Sequence, residues 1–409
     1  MTRILPLKTQ LIWVALTLVI TSLFGAEPIF KDATKSLNLS IGGGQVAWGD
    51  FNNDGWEDLH DGGLWVNERG KKFSRFTAKG PSGHGIWGDY NNDGWLDFYS
   101  WAGGKLYRNE SGKKFVDATP KVLAERPMKV SRGAAWVDID NDGYLDLYVA
   151  GYEIWQKAVY ADALFRNVGG KDFVAHALPK ARNMSARGVS AADFDSDGDV
   201  DVYVSNYRLF PNRLWRNDGG GKFTEIATPT GTAGDGGLGA WGHTIGSAWG
   251  DLDNDGYLDL FVGNFSHPPA YQDRPKFLRN RGPDGKFSFE DKSSEADLHW
   301  QESYASPALA DLIMTERWIF FLPLSTPATP VYSTAIVEIG NLPTPPPHLA
   351  FVPLKPIKPP GATLTRMGTW TWPVVASFGV IEETQINGWL CNLRAQARSI
   401  APPLAPRSV

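Results

Sequence analysis

Apolar and polar residues alternate along short runs of this chain, in contrast to the spacing of three or four residues that a helix would give. One such run, Leu145–Gly151, reads Leu-Asp-Leu-Tyr-Val-Ala-Gly. A period of two predicts β-strands, because successive side chains of a strand point to opposite faces of the sheet. We therefore expect Val149, Val204 and Val262 to point into interfaces between sheets.

One string recurs five times, beginning at Asp50, Asp89, Asp138, Asp193 and Asp251. These starting points are 39, 49, 55 and 58 residues apart, which is the size of one propeller blade. Each copy is followed by a strand-like run and then by a second element resembling Leu-aromatic-Arg-Asn, a Gly-rich turn and a Phe. The content of roughly four strands per period predicts an all-β fold, a β-propeller of four-stranded blades.

Within each copy, oxygen-bearing side chains stand at positions 1, 3, 5 and 9, with Gly at position 6. Ca²⁺ takes six to eight oxygen ligands, and alternating Asp or Asn around a sharp Gly turn supplies several of them from one loop. The opening half matches an EF-hand loop, but the flanks alternate like strands and an Asp at position 9 closes the loop. The predicted metal ligands are Asp50, Asn52, Asp54 and Asp58 in loop 1; Asp89, Asn91, Asp93 and Asp97 in loop 2; Asp138, Asp140, Asp142 and Asp146 in loop 3; Asp193, Asp195, Asp197 and Asp201 in loop 4; and Asp251, Asp253, Asp255 and Asp259 in loop 5.

A single copy has another explanation, since Asp, Asn and Gly dominate exposed turns without any metal. Five copies in one register favour a metal, because three or four carboxylates within nine residues repel one another unless a cation neutralises them. Turn chemistry also gives no reason for the closing Asp. We expect about one Ca²⁺ per loop, and Mg²⁺ is less suitable because it demands a tighter octahedron.

The composition narrows the class of protein further. The chain has 409 residues, among them 44 Gly and 17 Trp, and a formal net charge of −5. Such a balanced, slightly acidic charge does not indicate a nucleic-acid partner. Cys391 is the one cysteine, so no internal disulfide can form and stability must come from packing, metal ions or both.

The N-terminus predicts export. Arg3 and Lys8 precede the apolar run 11–20, and the small-residue exit Phe24-Gly25-Ala26 follows. This is the pattern of a secretory signal peptide over residues 1–26, with the mature protein secreted, periplasmic or at the cell surface and without a membrane span. An uncleaved membrane anchor or a buried segment is the alternative.

At these loops the sequence resembles the FG-GAP/VCBS repeat family, whose blades carry the same Asp-x-[Asp/Asn]-x-Asp-Gly-x-x-Asp string and form integrin-type propellers. The sequences of the repeats are similar to those of the bacterial branch of this family that ends in an ASPIC/UnbV domain, which is similar to cartilage acidic protein. The resemblance runs from about Ile41 to Leu312, within a predicted repeat domain of residues 27–312. It implies a calcium-stabilised, non-catalytic scaffold for binding or adhesion, with an unidentified protein or glycan as partner.

Residues 313–409 break the pattern. They are rich in Pro, lose the alternation and lack the sixth loop that should begin at Asp311. Codons for residues 311–320 can be chosen so that another frame reads Leu-Asp-Asn-Asp-Gly-Ala-Leu-Asp-Phe, and the same offset gives a second repeat at residues 360–372 and an ASPIC/UnbV-like string near Ser399. We therefore interpret 313–409 as an irregular tail that is out of frame. Five intact blades of an expected seven leave the ring incomplete.

An enzyme remains the competing hypothesis, for instance a calcium-dependent polysaccharide lyase or hydrolase on a propeller. Candidate acid or base groups are His60, His84 and His243, but they do not occupy one repeated position. The sequence has no nucleophile elbow, His-Glu-x-x-His motif or phosphate loop, which favours the non-catalytic reading.

Overall fold

The computed structural model describes residues 33–41, 45–235, 241–265, 274–296, 306–310, 319–326 and 329–338. Two compact units divide the chain, residues 41–386 and a unit formed by 1–40 with 387–409. All the sheets belong to the first of these units. The predicted signal peptide and most of the predicted tail lie outside the described residues, and no described helix is long and apolar enough to cross a membrane.

Five four-stranded antiparallel sheets follow one another along the chain, each a simple meander, and we call them blades 1 to 5. Blade 1 comprises β1 (Ala47–Gly49), β2 (Asp58–His60), β3 (Leu64–Asn67) and β4 (Phe73–Arg75); blade 2 comprises β5 (Gly85–Gly88), β6 (Asp97–Ser100), β7 (Lys105–Asn109) and β8 (Phe115–Asp117). Blade 3 comprises β9 (Ser131–Val137), β10 (Asp146–Gly151), β13 (Ala163–Val168) and β14 (Asp172–His176), with the hairpin β11 (Glu153–Ile154) and β12 (Ala158–Val159) inserted after β10. Blade 4 comprises β15 (Ala186–Ala192), β16 (Asp201–Asn206), β17 (Arg213–Asn217) and β18 (Phe223–Glu225); blade 5 comprises β19 (Thr244–Gly250), β20 (Asp259–Asn264), β21 (Lys276–Asn280) and β22 (Phe289–Asp291).

The described helices are short: α1 (Lys121–Ala124), α2 (Ala227–Thr230) and a 3₁₀ turn at Pro283–Gly285. The first strands of consecutive blades lie against one another in chain order, as the inner strands of a propeller do. The predicted all-β class and four-stranded blades are therefore confirmed, in an incomplete propeller-like arrangement.

The hydrophobic core lies between blades. Along β10 every residue is buried, and the side chains alternate between two neighbours. Leu147 and Val149 pack with blade 2, whereas Tyr148 and Ala150 pack with blade 4. The predicted burial of Val149, Val204 and Val262 is confirmed, with at most 2% of each exposed.

The Trp-Gly-Asp part of the repeat explains how closely the blades approach. A Cβ built on Gly49 would lie 2.8 Å from Cδ1 of Trp87, and one on Gly88 would lie 2.5 Å from Cδ1 of Trp136. Real Cβ atoms do not approach this closely, so each Gly makes room for the Trp of the next blade. The repeated string therefore encodes packing as well as the loop.

Two strands occur within the predicted tail. These are β24 (Ile319–Thr326) and β25 (Thr329–Glu338), which pair antiparallel beside β23 (Ala308–Ala310). The runs Ile-Phe-Phe-Leu and Thr-Ala-Ile-Val have the β-branched and aromatic composition of strands, which outweighed the Pro content in this segment. The reading-frame interpretation of 313–409 stays a prediction.

Candidate metal centres

Each predicted loop connects the first and second strands of its blade, so the five loops lie at the same end of their sheets. We call this the loop end. Every loop contains two residues in the left-handed region, the residue at position 4 with φ of 55–58° and the Gly at position 6 with φ of 85–94°. Gly adopts this conformation without cost and Asn tolerates it better than most residues, which explains Gly at position 6 and Asn at position 4 of four loops; loop 4 has Ser196 there.

The loops are closed by the same hydrogen bonds in all five blades. In loop 1 the Asp50 carboxylate accepts the backbone N–H groups of Asp54 and Gly55 at 3.0 and 2.8 Å. The carboxylate of Asp54 accepts the N–H of Trp56 at 3.0 Å. Corresponding bonds recur in loops 2 to 5. Turn chemistry alone therefore accounts for the Asp residues at positions 1 and 5.

Turn formation does not explain the Asp at position 9. It lies outside the turn, as the first residue of the second strand, and at most 1% of it is exposed. In loop 3, Asp146 accepts the N–H of Asn167 at 2.6 Å and that of Ile139 at 2.8 Å. In loops 1 and 2 the equivalent Oδ2 atoms of Asp58 and Asp97 are buried and meet the N–H groups of Phe51 and Tyr90 only weakly. Burial of an unpaired carboxylate oxygen is unfavourable unless a cation or a proton compensates it.

Position 3 shows the same feature in two other loops. The Oδ1 atoms of Asp140 and Asp195 are buried without a hydrogen-bond partner. Carboxylate oxygens converge to within 4.8 Å of one another in three groups, one in each of loops 3 to 5: Asp138, Asp140 and Asp146; Asp193, Asp195 and Asp197; Asp251, Asp253 and Asp255. Oxygen donors at this separation with unsatisfied valences fit a hard divalent cation. Loops 1 and 2 carry Asn at position 3 and show no such three-carboxylate group among the described residues.

The pKa values of these carboxyls show the cost of their burial without a cation. Burial is the main cause in each case, and neighbouring carboxylates of the same loop add to it. The pKa is raised to about 7 for Asp58, about 8 for Asp97, about 6 for Asp146, and about 8 for both Asp201 and Asp259. Burial also raises the pKa of Asp195 to about 6. A bound cation would remove this penalty by favouring the charged form.

Sequence reasoning missed the role of the Asn in the second element. Its backbone N–H binds the position-9 carboxylate of its own blade, and its side chain reaches the preceding blade. Asn167 Nδ2 in blade 3 donates to the Tyr90 carbonyl in loop 2 at 2.8 Å and to the Leu145 carbonyl at 3.0 Å. Equivalent inter-blade bonds are made by Asn109, Asn217 and Asn280. The recurrence of Leu-aromatic-Arg-Asn at blade spacing was the signal that could have revealed this link.

Position 4 provides a second link between loops. The side-chain amide of Asn53 donates to the Gly94 carbonyl at 2.9 Å, and that of Asn92 donates to the Gly143 carbonyl at 2.7 Å. Asn141 likewise reaches loop 4, where it binds Asp199 Oδ1 at 2.8 Å. Position 4 is not a predicted ligand position, and its side chain instead joins two loops.

Two arginines of the second element also contact ligand positions. Arg166 binds Asp140 at 3.2 Å, and Arg279 binds Asp253 and, at 3.0 Å, Asp255. Their positive charge partly compensates the carboxylates of loops 3 and 5. In blades 2 and 4 the equivalent arginines pair with Glu110 and Asp218.

A family model for the FG-GAP-like repeat matches residues 89–149 and 205–262. The chain contains FG-GAP-like repeats. The first match begins at Asp89 of loop 2 and ends in β10, and the second includes loop 5. Loops 1 and 4 lie outside both matches, although they make the same hydrogen bonds. A comparison with curated proteins found no match.

Solved structures show distant similarity only. The Photorhabdus luminescens Tc holotoxin pore is 15% identical, over 72% of this chain and 14% of the toxin chain, with a TM-score of 0.37. The V. cholerae biofilm matrix protein Bap1 is 14% identical, over 64% of this chain and 40% of Bap1, with a TM-score of 0.31. A putative gluconolactonase is 13% identical, over 73% of this chain and 91% of the other, with a TM-score of 0.38. The chain spans less than half the length of the first two, and TM-scores this low give no information on function.

Proposed function

We propose that this protein is an exported, calcium-binding propeller scaffold that binds a protein or a glycan and does not catalyse a reaction. The single observation that best supports calcium is the buried carboxylate oxygen without a hydrogen-bond partner, which occurs at position 3 of loops 3 and 4, in Asp140 and Asp195. Turn formation gives no reason for these buried atoms, whereas a divalent cation would use them as ligands.

The cation would be held by the residues at positions 1, 3, 5 and 9 of each loop. When bound, it would supply positive charge that neutralises carboxylates clustered within a few ångströms. The residues of the chain do the rest: the position-1 and position-5 carboxylates close the turn, and the position-9 carboxylate, at the start of the second strand, joins the loop to the third strand. The metal would thus stabilise the strands from which the binding surface is built.

Calcium titration of the purified protein tests this proposal. A ligand that binds only the folded state at a hundredfold excess over its Kd stabilises by about 2.7 kcal/mol per independent site. We expect the melting temperature to rise clearly with Ca²⁺ over a chelated sample, and less with Mg²⁺. Superimposable melts with Ca²⁺ and chelator would contradict the proposal. Export is tested separately by N-terminal sequencing of the mature protein, which should begin at Glu27.

A further inference from the structure

The connections between the second and third strands of each blade lie at the opposite end of the sheets from the metal loops. We call this the far end, and its segments are residues 61–63, 101–104, 152–162, 207–212 and the described part of 265–275. The six residues of β10 separate the two ends by roughly 17 Å at 3.3–3.4 Å per residue. The far-end segments differ from blade to blade in length and sequence, unlike the loops.

Blade 3 carries a hairpin at the far end that exposes an indole ring. Trp155 lies between β11 and β12 and is 58% exposed, more than any other large hydrophobic residue that the structure describes. The hairpin is fixed at its base, where Asp162 accepts the N–H of Gly151 at 2.8 Å and pairs with the buried Arg213 at 3.3 Å. An exposed aromatic ring on an anchored hairpin is a frequent feature of binding surfaces.

A guanidinium group is held against this ring. The Cζ atom of Arg208, from blade 4, lies 3.9 Å from the centroid of Trp155. Arg208 Nε donates to Oε1 of Glu153 at 2.7 Å, and the Glu153 side chain is only 9% exposed. The Arg208 side chain is 36% exposed. One face of the indole and one nitrogen of the guanidinium are therefore occupied, and Nη1 and Nη2 make no hydrogen bond with the described residues.

The backbone that carries Arg208 is in an unfavourable conformation. Arg208 and Leu209 have φ values of 63° and 59°, in the left-handed region that non-Gly residues rarely adopt. These two residues form the turn from which the Arg208 side chain extends to Trp155.

The surroundings of the pair are positively charged and aromatic. Arg187 is 3% exposed and its Cζ lies 4.3 Å from the Tyr207 ring centroid and 5.3 Å from that of Tyr152. The Cζ atom of Arg132 lies 5.4 Å from the Tyr152 ring centroid. The described acidic groups here, Glu153 and Asp162, are already paired with arginines. The surface thus favours an anion beside an aromatic ring.

We propose that the Trp155–Arg208 pair is a binding site for an acidic polysaccharide, with the apolar face of a uronic acid ring on the indole and its carboxylate on Nη1 and Nη2 of Arg208. A pyranose combines a C–H face with charged and hydroxyl edges, which matches one exposed ring beside one guanidinium. An acidic peptide fits less well, because among the described residues Val159 is the only other exposed large hydrophobic residue on this hairpin. The inference deepens the proposed function by naming the partner's chemistry and therefore rests on it.

Isothermal titration with a galacturonic acid oligomer, at fixed free Ca²⁺, tests the site. We expect binding of the oligomer and none of a neutral glucose oligomer of equal length. Trp155→Ala and Arg208→Gln should each weaken the affinity at least tenfold, with Trp155→Ala melting as the unchanged protein does. Trp56→Ala is the matched control, since Trp56 is the other exposed tryptophan in the part of the chain that the structure describes, lies at the loop end and is 42% exposed. This variant should bind as the unchanged protein does.

Three results would overturn the inference. The first is no binding of the oligomer at millimolar concentration. The second is binding that Trp155→Ala leaves intact and a chelator abolishes, since uronates bind Ca²⁺ and could attach through the loop end. The third is equal affinity for a poly-glutamate peptide without dependence on Trp155. In each case the calcium-dependent melt still reports on the proposed scaffold, so failure of this site and failure of the calcium proposal are distinguishable.

Discussion

The two ends of the blades obey different constraints. At the loop end the same carboxylates accept the same backbone N–H groups in every blade, with φ values that agree within 10°. At the far end, the connection of blade 1 is a short turn after His60, whereas that of blade 3 contains a whole hairpin. A loop that must close on itself, reach its neighbours and hold carboxylates together tolerates little change. A connection that only has to join two strands is free to acquire a site of its own.

We expect the largest effect on stability from a change of pH in the absence of calcium, because the carboxyls that titrate lie at the loop end. The position-9 carboxyls have pKa values of about 6 to 8 in the folded protein, against about 3.9 in an unfolded chain. The folded state therefore binds more protons between pH 4 and 8, and stability falls as the pH rises through this window. Thermal melts in chelator should give a higher melting temperature at pH 5.5 than at pH 8.

Calcium should reverse or flatten this dependence, because the cation replaces the protons. The melting temperature with saturating Ca²⁺ should therefore not fall between pH 5.5 and pH 8. A chelated sample that is more stable at pH 8 than at pH 5.5 would show that these carboxyls are not buried as described.

We expect the next largest loss of stability when one position-9 carboxylate is removed. Asp146→Ala leaves the buried N–H groups of Ile139 and Asn167 without their acceptor. Each unsatisfied buried donor costs about 1–3 kcal/mol, so urea unfolding in Ca²⁺ should show a loss of about 2–4 kcal/mol. Asp284→Ala, at an exposed position in a turn, is the control and should stay within about 0.5 kcal/mol. A loss below about 1 kcal/mol for Asp146→Ala would contradict the assigned contacts.

Loss of a side-chain link between blades should reduce stability less than loss of a position-9 carboxylate. Asn167→Ala removes two side-chain donors and the acceptor for Gly170, with an expected loss of about 2–3 kcal/mol in urea unfolding. Asn141→Ala removes an exposed link between loops 3 and 4, for which about 0.5–1 kcal/mol is expected. If both variants lose the same amount, burial does not determine the strength of these links.

The far end should show the smallest effect on stability. Trp155→Ala removes a side chain that is 58% exposed, so urea unfolding should change by no more than about 0.5 kcal/mol. A larger loss would indicate that the ring is part of the core of the propeller and would leave no reason to assign it to ligand binding.

How much the sequence revealed also differs between the two ends. The alternation and the period of the string correctly predicted the blades, the buried face of Val204 and the carboxylates that converge at Asp193, Asp195 and Asp197. These features depend on local spacing, which the sequence shows directly. The contact of Asn167 with Tyr90 joins residues 77 apart in the chain, and no local rule predicts such a pair. The Arg208–Trp155 pair likewise depends on two blades approaching each other, so it became visible only in three dimensions.

The location of the core between blades has a consequence for how the chain could grow. In blade 3, Leu147 is buried against one neighbouring blade and Tyr148 against the other. The stability of a blade therefore depends mainly on the blades beside it. Adding or deleting a terminal blade therefore changes one interface and leaves the others unaltered. Gene duplication can lengthen such a chain by whole periods, with each new blade packing against the one before it.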